Sequence, residues 1–597
     1  MDFADTFGPL RRGGATTVRR TKEFDRIAAL PRRQWSEAAD LDQVIAALNK
    51  YLHINPAPCA TPETCEGCKM ASLRPSQAAA MREMYERGGL FAPIRPGGGK
   101  TAVSILGFTV VQAKRPLLIV PADLVGKTEK AKVQIARHWR VLPYIEIVSY
   151  QFLTHKNNAN FLEEYAPSHI FADECDVLGK TGNVAWKRIK KYLARHVQSE
   201  TPIKFYPASG TVMGRQVREV SHLLHWSLKD AAPLPRDLNE QITWGYAVDA
   251  KVPVQNRVDP GALLDLPGAE GDTDLAKARA AFRKRLADTP GVLATSEDVP
   301  PIPLTVNAII PEVPAAIREA ILTMRDTWVT PAGEPFKYAL ELWGHAKRLG
   351  LGFHYDYDPP PPVEWRMAKS EWYAWARKKI VHMTGLDQVS QLQDKILAGE
   401  VEDGGLYQRW LDISGTYDPD KHRYAHWVDD TTSFGWAKDW LIKGDGKGLI
   451  WTPDTAWGER ASELLGLPYF SKGGVTKDGL SIEDFTGPAA ICSVASCGRG
   501  RNLQRWSRGL IMNPSSVGKI WTQLLARMWR DGQTAETVEW DVILTSRESY
   551  SCLIQAIRDC NFAPDAAGLL YAVTNFGEIE ELANRDDDLW KKMDLGV

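Results

Sequence analysis

The sequence predicts an α/β protein built from two doubly wound parallel-sheet lobes, and three observations predict it. Short apolar runs ending in polar residues alternate with helix-period stretches across residues 73–230. The same alternation returns across residues 433–548. Near the head of the first segment a glycine-rich stretch, Gly97-Gly98-Gly99-Lys100-Thr101, separates an apolar lead-in from the apolar run Val103-Ser104-Ile105-Leu106.

A chain of 597 residues is too long for one core, so several domains are expected. Hydrophobic content of 44% and charged content of 25% are those of a soluble globular protein. With a net charge of −1 there is no global basic field, and any nucleic acid has to be held by local patches. Eight cysteines in so long a chain argue against a disulfide scaffold and for a reducing, cytoplasmic setting. The start MDFADTFGPLRRGG lacks the apolar stretch of a secretory leader. No apolar run approaches the roughly 20 residues that span a bilayer, so no membrane partner is expected.

Taken in order, residues 1–72 read as a basic arm, a helix and a cysteine-rich loop. The arm carries Arg11-Arg12, Arg19-Arg20 and Arg32-Arg33, and Leu41, Val44, Ile45, Leu48 and Leu52 have helical spacing. Cys59, Cys65 and Cys68 follow in a Pro- and Gly-containing loop; a C-x2-C pair is the usual zinc grip, and His53 is the candidate fourth ligand. The first lobe, 73–230, opens on a helix with Pro75 at an early position. Its strands are expected within 115–125, 144–153, 169–179 and 203–215, the third ending in Asp173-Glu174 and the fourth in Ser209-Gly210-Thr211. Residues 231–432 lose this rhythm, are rich in proline and tryptophan, and read as a partly helical insertion. The second lobe, 433–548, resumes it, and 549–597 read as terminal helices bracing the core, with an acidic patch at Asp586-Asp587-Asp588.

Three groups of residues carry chemistry. Glycines let a backbone wrap a polyphosphate with its N–H groups inward, and the following helix adds its positive end. Lys100 then reaches the β/γ-phosphates and the Thr101 hydroxyl ligates Mg²⁺. Asp173 suits the same ion, and Glu174 suits orienting or deprotonating a water. In the second lobe Gln523, Arg527, Arg530 and Gln533 form a Q-x3-R-x2-R-x2-Q array; on a helix its arginines share one face and can meet a γ-phosphate as a pair.

With these residues in hand, the chain resembles the superfamily-two helicases and translocases, most closely their SNF-like branch. Leu73-Arg74-Pro75-Ser76-Gln77 is similar to the branch's adenine-side motif, and Gly97 to Thr101 to its motif I. Leu118-Ile119-Val120-Pro121 resembles motif Ia, Ser149-Tyr150 the "TSYE" stretch, and Ser209-Gly210-Thr211 motif III. Asp173-Glu174-Cys175-Asp176 stands at motif II, with Asp176 where the branch usually has His. Ser496 to Leu503 resembles motif V, and Gln523 to Gln533 motif VI. The compact size and the cysteine loop are also similar to phage-encoded relatives.

The resemblance implies two RecA-like lobes with ATP and Mg²⁺ in the cleft and nucleic acid, double-stranded DNA above all, across both. It implies catalytic roles for Lys100, Asp173, Glu174, Arg527 and Arg530. Nucleotide contacts fall to Arg74, Gln77, Gly97, Gly98, Gly99, Thr101, Gly500 and Gln523, with Gln77 reading the adenine edge. Ser209, Gly210 and Thr211 couple hydrolysis to strand grip, and Pro121 and Asn502 hold nucleic-acid phosphates. A strand-separating replication helicase, an RNA motor and a non-catalytic ATP-binding assembly subunit remain open alternatives.

Overall fold

The computed structural model describes residues 16–567, apart from 35–36, 64, 96, 180–181, 211–215, 250–251, 253–255, 294–301, 332–335, 337–338 and 383–388. Thr211 and the acidic patch at 586–588 lie outside the described residues.

Two parallel sheets organise the chain. The first joins β1 (Pro116–Val120), β2 (Glu146–Ser149), β3 (His169–Asp173) and β4 (Lys204–Ala208) in the order β2-β1-β3-β4. Alternate residues of β1 enter different cores: Leu117 and Ile119 face one side, Leu118 and Val120 the other. Burial on both faces explains why this strand reads as a continuous apolar run. Among the described residues, the lead-in to the glycine loop adds two bridged residues. Phe91 pairs with Val292 and Ala92 with Ala208, which places the loop at the C-terminal end of the sheet beside β4.

Among the described residues, the second sheet has six strands. β5 (Leu304–Ile309), β8 (Gly448–Thr452), β9 (Tyr469–Phe470), β10 (Ala489–Ser493), β11 (Arg508–Ile511) and β12 (Val538–Ile543) run parallel in the order β5-β12-β11-β8-β10-β9. It is covered on both faces in the same manner, with Leu449 and Trp451 on one side and Ile450 on the other. An antiparallel pair, β6 (Phe353–Tyr357) and β7 (Arg423–Trp427), leads into and out of a helical module between them. That module buries Trp372, Ala376, Leu392 and Tyr407 in a core of its own.

The expected boundaries move for physical reasons. Leu234, Trp244, Phe282, Leu286 and Val292, expected in the insertion, are buried in the first sheet's core. β5, also expected there, pairs along its whole length with β12. The proline-rich connections between these apolar residues conceal their shared destination. The basic arm is likewise partly docked, since Phe24 and Ile27 of the helix Lys22–Ala28 belong to the first core. The helix Arg547–Ala567 contributes Leu553, Ile554 and Ile557 to the second core and Phe562 to the first. Among the described residues, no helix is long and apolar enough to cross a membrane.

Candidate functional site

The glycine loop opens the helix Lys100–Val110 from a left-handed turn. Gly97 has φ +88° and Gly99, the N-cap, has φ +79°. The positive φ favours glycine at this position, and a Cβ on Gly99 would lie 2.1 Å from Gln77 Nε2 and displace that amide. No side chain caps this helix, so its first N–H groups keep the open geometry that suits an anion. Lys100 is buried; its Nζ donates to Ile94 O at 3.2 Å and pairs with Glu174 Oε1 at 3.4 Å. Thr101 follows it, half-buried, in the first turn.

β3 delivers the carboxylates. Glu174, at φ +50° and ψ +48°, occupies a conformation uncommon for a non-glycine residue. Its N–H donates to Asp173 Oδ1 at 2.9 Å, while Tyr150 donates its hydroxyl proton to Asp173 O at 2.7 Å. The Ser209 hydroxyl lies 3.0 Å from Glu174 Oε2 and 3.1 Å from Asp176 Oδ1. Burial pushes Asp173 up to about 7, with repulsion from Glu174 adding to it. Burial also lifts Asp176, to about 6. On Glu174 the effect of burial is outweighed by Lys100, with Ser209 and Arg527 assisting, so its carboxyl is held below the usual value.

The second unit brings its arginines to this place. Gly97 faces Arg530, whose Cβ would lie 3.6 Å from a Cβ built on that glycine. Arg527 and Arg530 each donate from Nη1 to Arg501 O at 3.2 Å, and Arg527 Nε donates to Gln523 O at 2.7 Å. Burial pushes the Arg527 guanidinium down to about 9, with Arg530 repelling it and Glu174 opposing the shift. Arg74 donates to Gly97 O at 3.1 Å and pairs with Asp531, which also lies 3.7 Å from Arg95. The result is a crowd of cations around the glycine turn.

Two expectations about geometry change. The helix Gly518–Leu525 stops before the arginines, which sit in the turns that follow it. Their pairing comes from the shared carbonyl of Arg501, not from one helical face. Gln77 is buried with its amide engaged: Oε1 accepts from Arg74 N at 2.9 Å and Nε2 donates to Gly99 O at 3.2 Å. It therefore shapes the loop, and a bidentate adenine contact requires breaking these bonds.

Other expected residues lie along the seam between the units. A Cβ on Gly500, at φ +65°, would come within 2.1 Å of Leu124, and Lys127 donates to Gly500 O. Pro121 follows β1 immediately, and half-buried Asn502 follows Arg501. Gly210 is buried beside Ser209. Gln523 accepts from Arg499 Nε at 2.9 Å, and Arg499 Nη2 reaches Asp176 Oδ2 at 4.0 Å. Sequence reasoning missed Lys127, Glu483 and Arg499 as cross-unit contacts. Asp176, noted in the sequence only as standing where the branch usually has His, is the residue that Arg499 approaches.

The cysteine loop forms a second cluster. Cys59, Cys65, Cys68 and His138 offer ligand atoms that all lie within 4.8 Å of one another, a set fit to bind a metal such as zinc. His53 is not the fourth member. It stacks on Trp139 at 4.2 Å between ring centroids, and its backbone bridges Trp139. His138 lies 70 residues from Cys68, too far for local spacing to reveal it.

Comparison with protein-family models and with curated proteins finds no match to this chain.

Proposed function

We propose that the chain is an ATP-driven motor on nucleic acid, with two RecA-like lobes closing on one nucleotide and double-stranded DNA as the favoured track. The observation that carries this reading is the approach of Arg530 from one sheet unit to the glycine turn of the other, with Arg527 beside it in electrostatic reach of Glu174. A buried guanidinium, Arg527, beside a half-buried one, Arg530, on the same carbonyl is costly unless an anion completes the site. The open helix N-terminus and Lys100 offer the same anion a complementary surface.

In this reading Lys100 exchanges its Ile94 and Glu174 contacts for phosphate oxygens. Thr101 and Asp173 would hold Mg²⁺, which supplies neutralisation of phosphate charge when bound. Asp173, buried and pushed up to about 7, is an acid whose ionised form a nearby cation would favour. Glu174, released from Lys100 but still joined to Ser209, orients or deprotonates the attacking water. The chain Ser209–Asp176–Arg499–Gln523 offers a route by which changes at the carboxylates reach the second unit. The preference for DNA rests on the SNF-like resemblance, and contacts near Pro121 and Asn502 would be salt-sensitive and sequence-blind.

The test is ATP turnover measured in parallel with duplex DNA, single-stranded DNA and RNA. Duplex stimulation is expected, and Lys100→Ala or Glu174→Gln abolishes it without unfolding the protein. Wild-type turnover in Glu174→Gln would refute the role given to that residue. Stimulation by RNA alone would redirect the motor to RNA, and ATP binding without turnover would favour an assembly subunit. An unwinding assay on forked DNA beside a triplex-displacement assay separates a strand-separating helicase from a translocase.

A further inference from the structure

We propose that Cys59, Cys65, Cys68 and His138 hold one zinc ion, and that this centre fastens the N-terminal loop to the helix through which the first sheet unit touches the second. The donor set is three thiols and one imidazole, the composition of structural zinc sites. Cys59 Sγ lies 3.3 Å from Cys68 Sγ, and Cys68 Sγ lies 3.2 Å from His138 Nε2. Tetrahedral zinc, with bonds of about 2.3 Å to sulfur and about 2.0 Å to nitrogen, needs ligand separations of roughly 3.5–3.8 Å. Ligand shifts of the order of an ångström achieve that geometry.

The surroundings are built for this arrangement. His138 Nδ1 lies 2.9 Å from Asn55 O, so its proton is placed on Nδ1 and the Nε2 lone pair faces the sulfurs. Cys59 N donates to Cys68 Sγ at 3.3 Å, a bond that strengthens when the sulfur is a thiolate. Gly67 is required by close packing, because a Cβ there would lie 2.6 Å from both Gln134 O and His138 Cδ2. All eight cysteines are free of disulfides.

The fastening role follows from where His138 stands. It lies just beyond the helix Val125–Ala136, and the loop also reaches that helix through Glu66 N, which donates to Gln134 Oε1 at 3.2 Å. Near its other end the helix carries Lys127, which pairs with Glu483 of the second unit at 3.3 Å and donates to Gly500 O. A metal at one end thus steadies a rod whose other end bears on the partner unit.

Elemental analysis of the full chain, purified without chelator, is expected to give about one zinc per chain. A content near zero that added zinc does not restore overturns the site. In competition with a chelating dye, His138→Ala is expected to weaken zinc at least ten-fold while His53→Ala leaves it unchanged; the reverse ranking overturns the ligand assignment. Cobalt substitution of the unaltered protein should give thiolate-to-cobalt charge-transfer absorption, and its absence counts against the site however the variants fold. Stripping the metal should accelerate hydrogen exchange in residues 53–70 and 125–139 while β8 to β12 stay protected. Unchanged exchange there overturns the fastening role. None of these measurements reads ATP turnover, so this proposal and the motor reading fail separately.

Discussion

Lys100→Met offers a test of the site that needs no nucleotide. Lys100 Nζ and Glu174 Oε1 are 3.4 Å apart, with side chains 7% and 18% exposed. At an effective dielectric of about 20 their attraction is about 5 kcal/mol, and removing one partner of a buried pair typically costs about 3–5 kcal/mol. The loss is aggravated here because Asp173 and Asp176 repel Glu174, and relieved when Glu174 takes up a proton. In the unaltered protein the Glu174 pKa is lowered, so its contribution to stability is present above the unfolded pKa and lost as pH falls. In the variant the folded pKa rises above the unfolded one, and stability is lost as pH increases through that interval. The deficit should therefore be about 3 kcal/mol or more at pH 8 and clearly smaller at pH 5. For a unit of 150–250 residues that corresponds to roughly 6–12 °C in the first thermal transition at the higher pH. Thermal scans of both proteins at the two pH values measure it. A deficit below about 1 kcal/mol, or one indifferent to pH, would refute the view of Lys100 as counter-ion to a buried carboxylate cluster.

Three further outcomes are expected. Arg527→Ala should lower ATP turnover by roughly 10³–10⁵-fold if the arginine meets the γ-phosphate, and single-turnover kinetics would expose a smaller effect. Ser209→Ala removes the hydroxyl shared by Glu174 and Asp176; a cost of about 1.5–3 kcal/mol is expected in thermal or urea unfolding. At Asp429, burial is outweighed by hydrogen bonds from Thr432 and Thr431, which hold its pKa down to about 2. Its contribution is present above the ordinary carboxylate range and lost as pH falls toward 2. Asp429→Asn should cost about 1 kcal/mol at neutral pH and flatten the acid limb of the stability profile.

Legibility in the sequence followed the range of the interactions. β1, β3, β8 and β10 are buried on both faces, so each announces itself as a continuous apolar run. Among the described residues the lead-in to the glycine loop forms two bridges, one of them, Ala92 to Ala208, at the very end of β4, so it shows no extended strand pattern. β5 escaped notice because it is an edge strand of mixed sequence, LTVNAI, only partly buried and set between prolines. At the site, Lys100, Asp173 and Glu174 were legible because loop and strand-end chemistry is local. His138 was not, because the three cysteines name the chemistry while the fold alone selects the fourth donor. The arginine pair was legible by residue type but not by conformation, since Arg501 supplies the carbonyl that gathers it.

The helix Arg547–Ala567 sets the mechanics of any opening. Leu553, Ile554 and Ile557 are rooted in one hydrophobic interior and Phe562 in the other, with Arg279 over the Phe562 ring at 5.2 Å. Pulling the two bodies straight apart would expose apolar surface at one end of this spar. Swinging them about it would leave both anchorages intact. If the proposed function holds, the nucleotide cleft is therefore expected to gape on the side away from this spar, like a book turning on its spine.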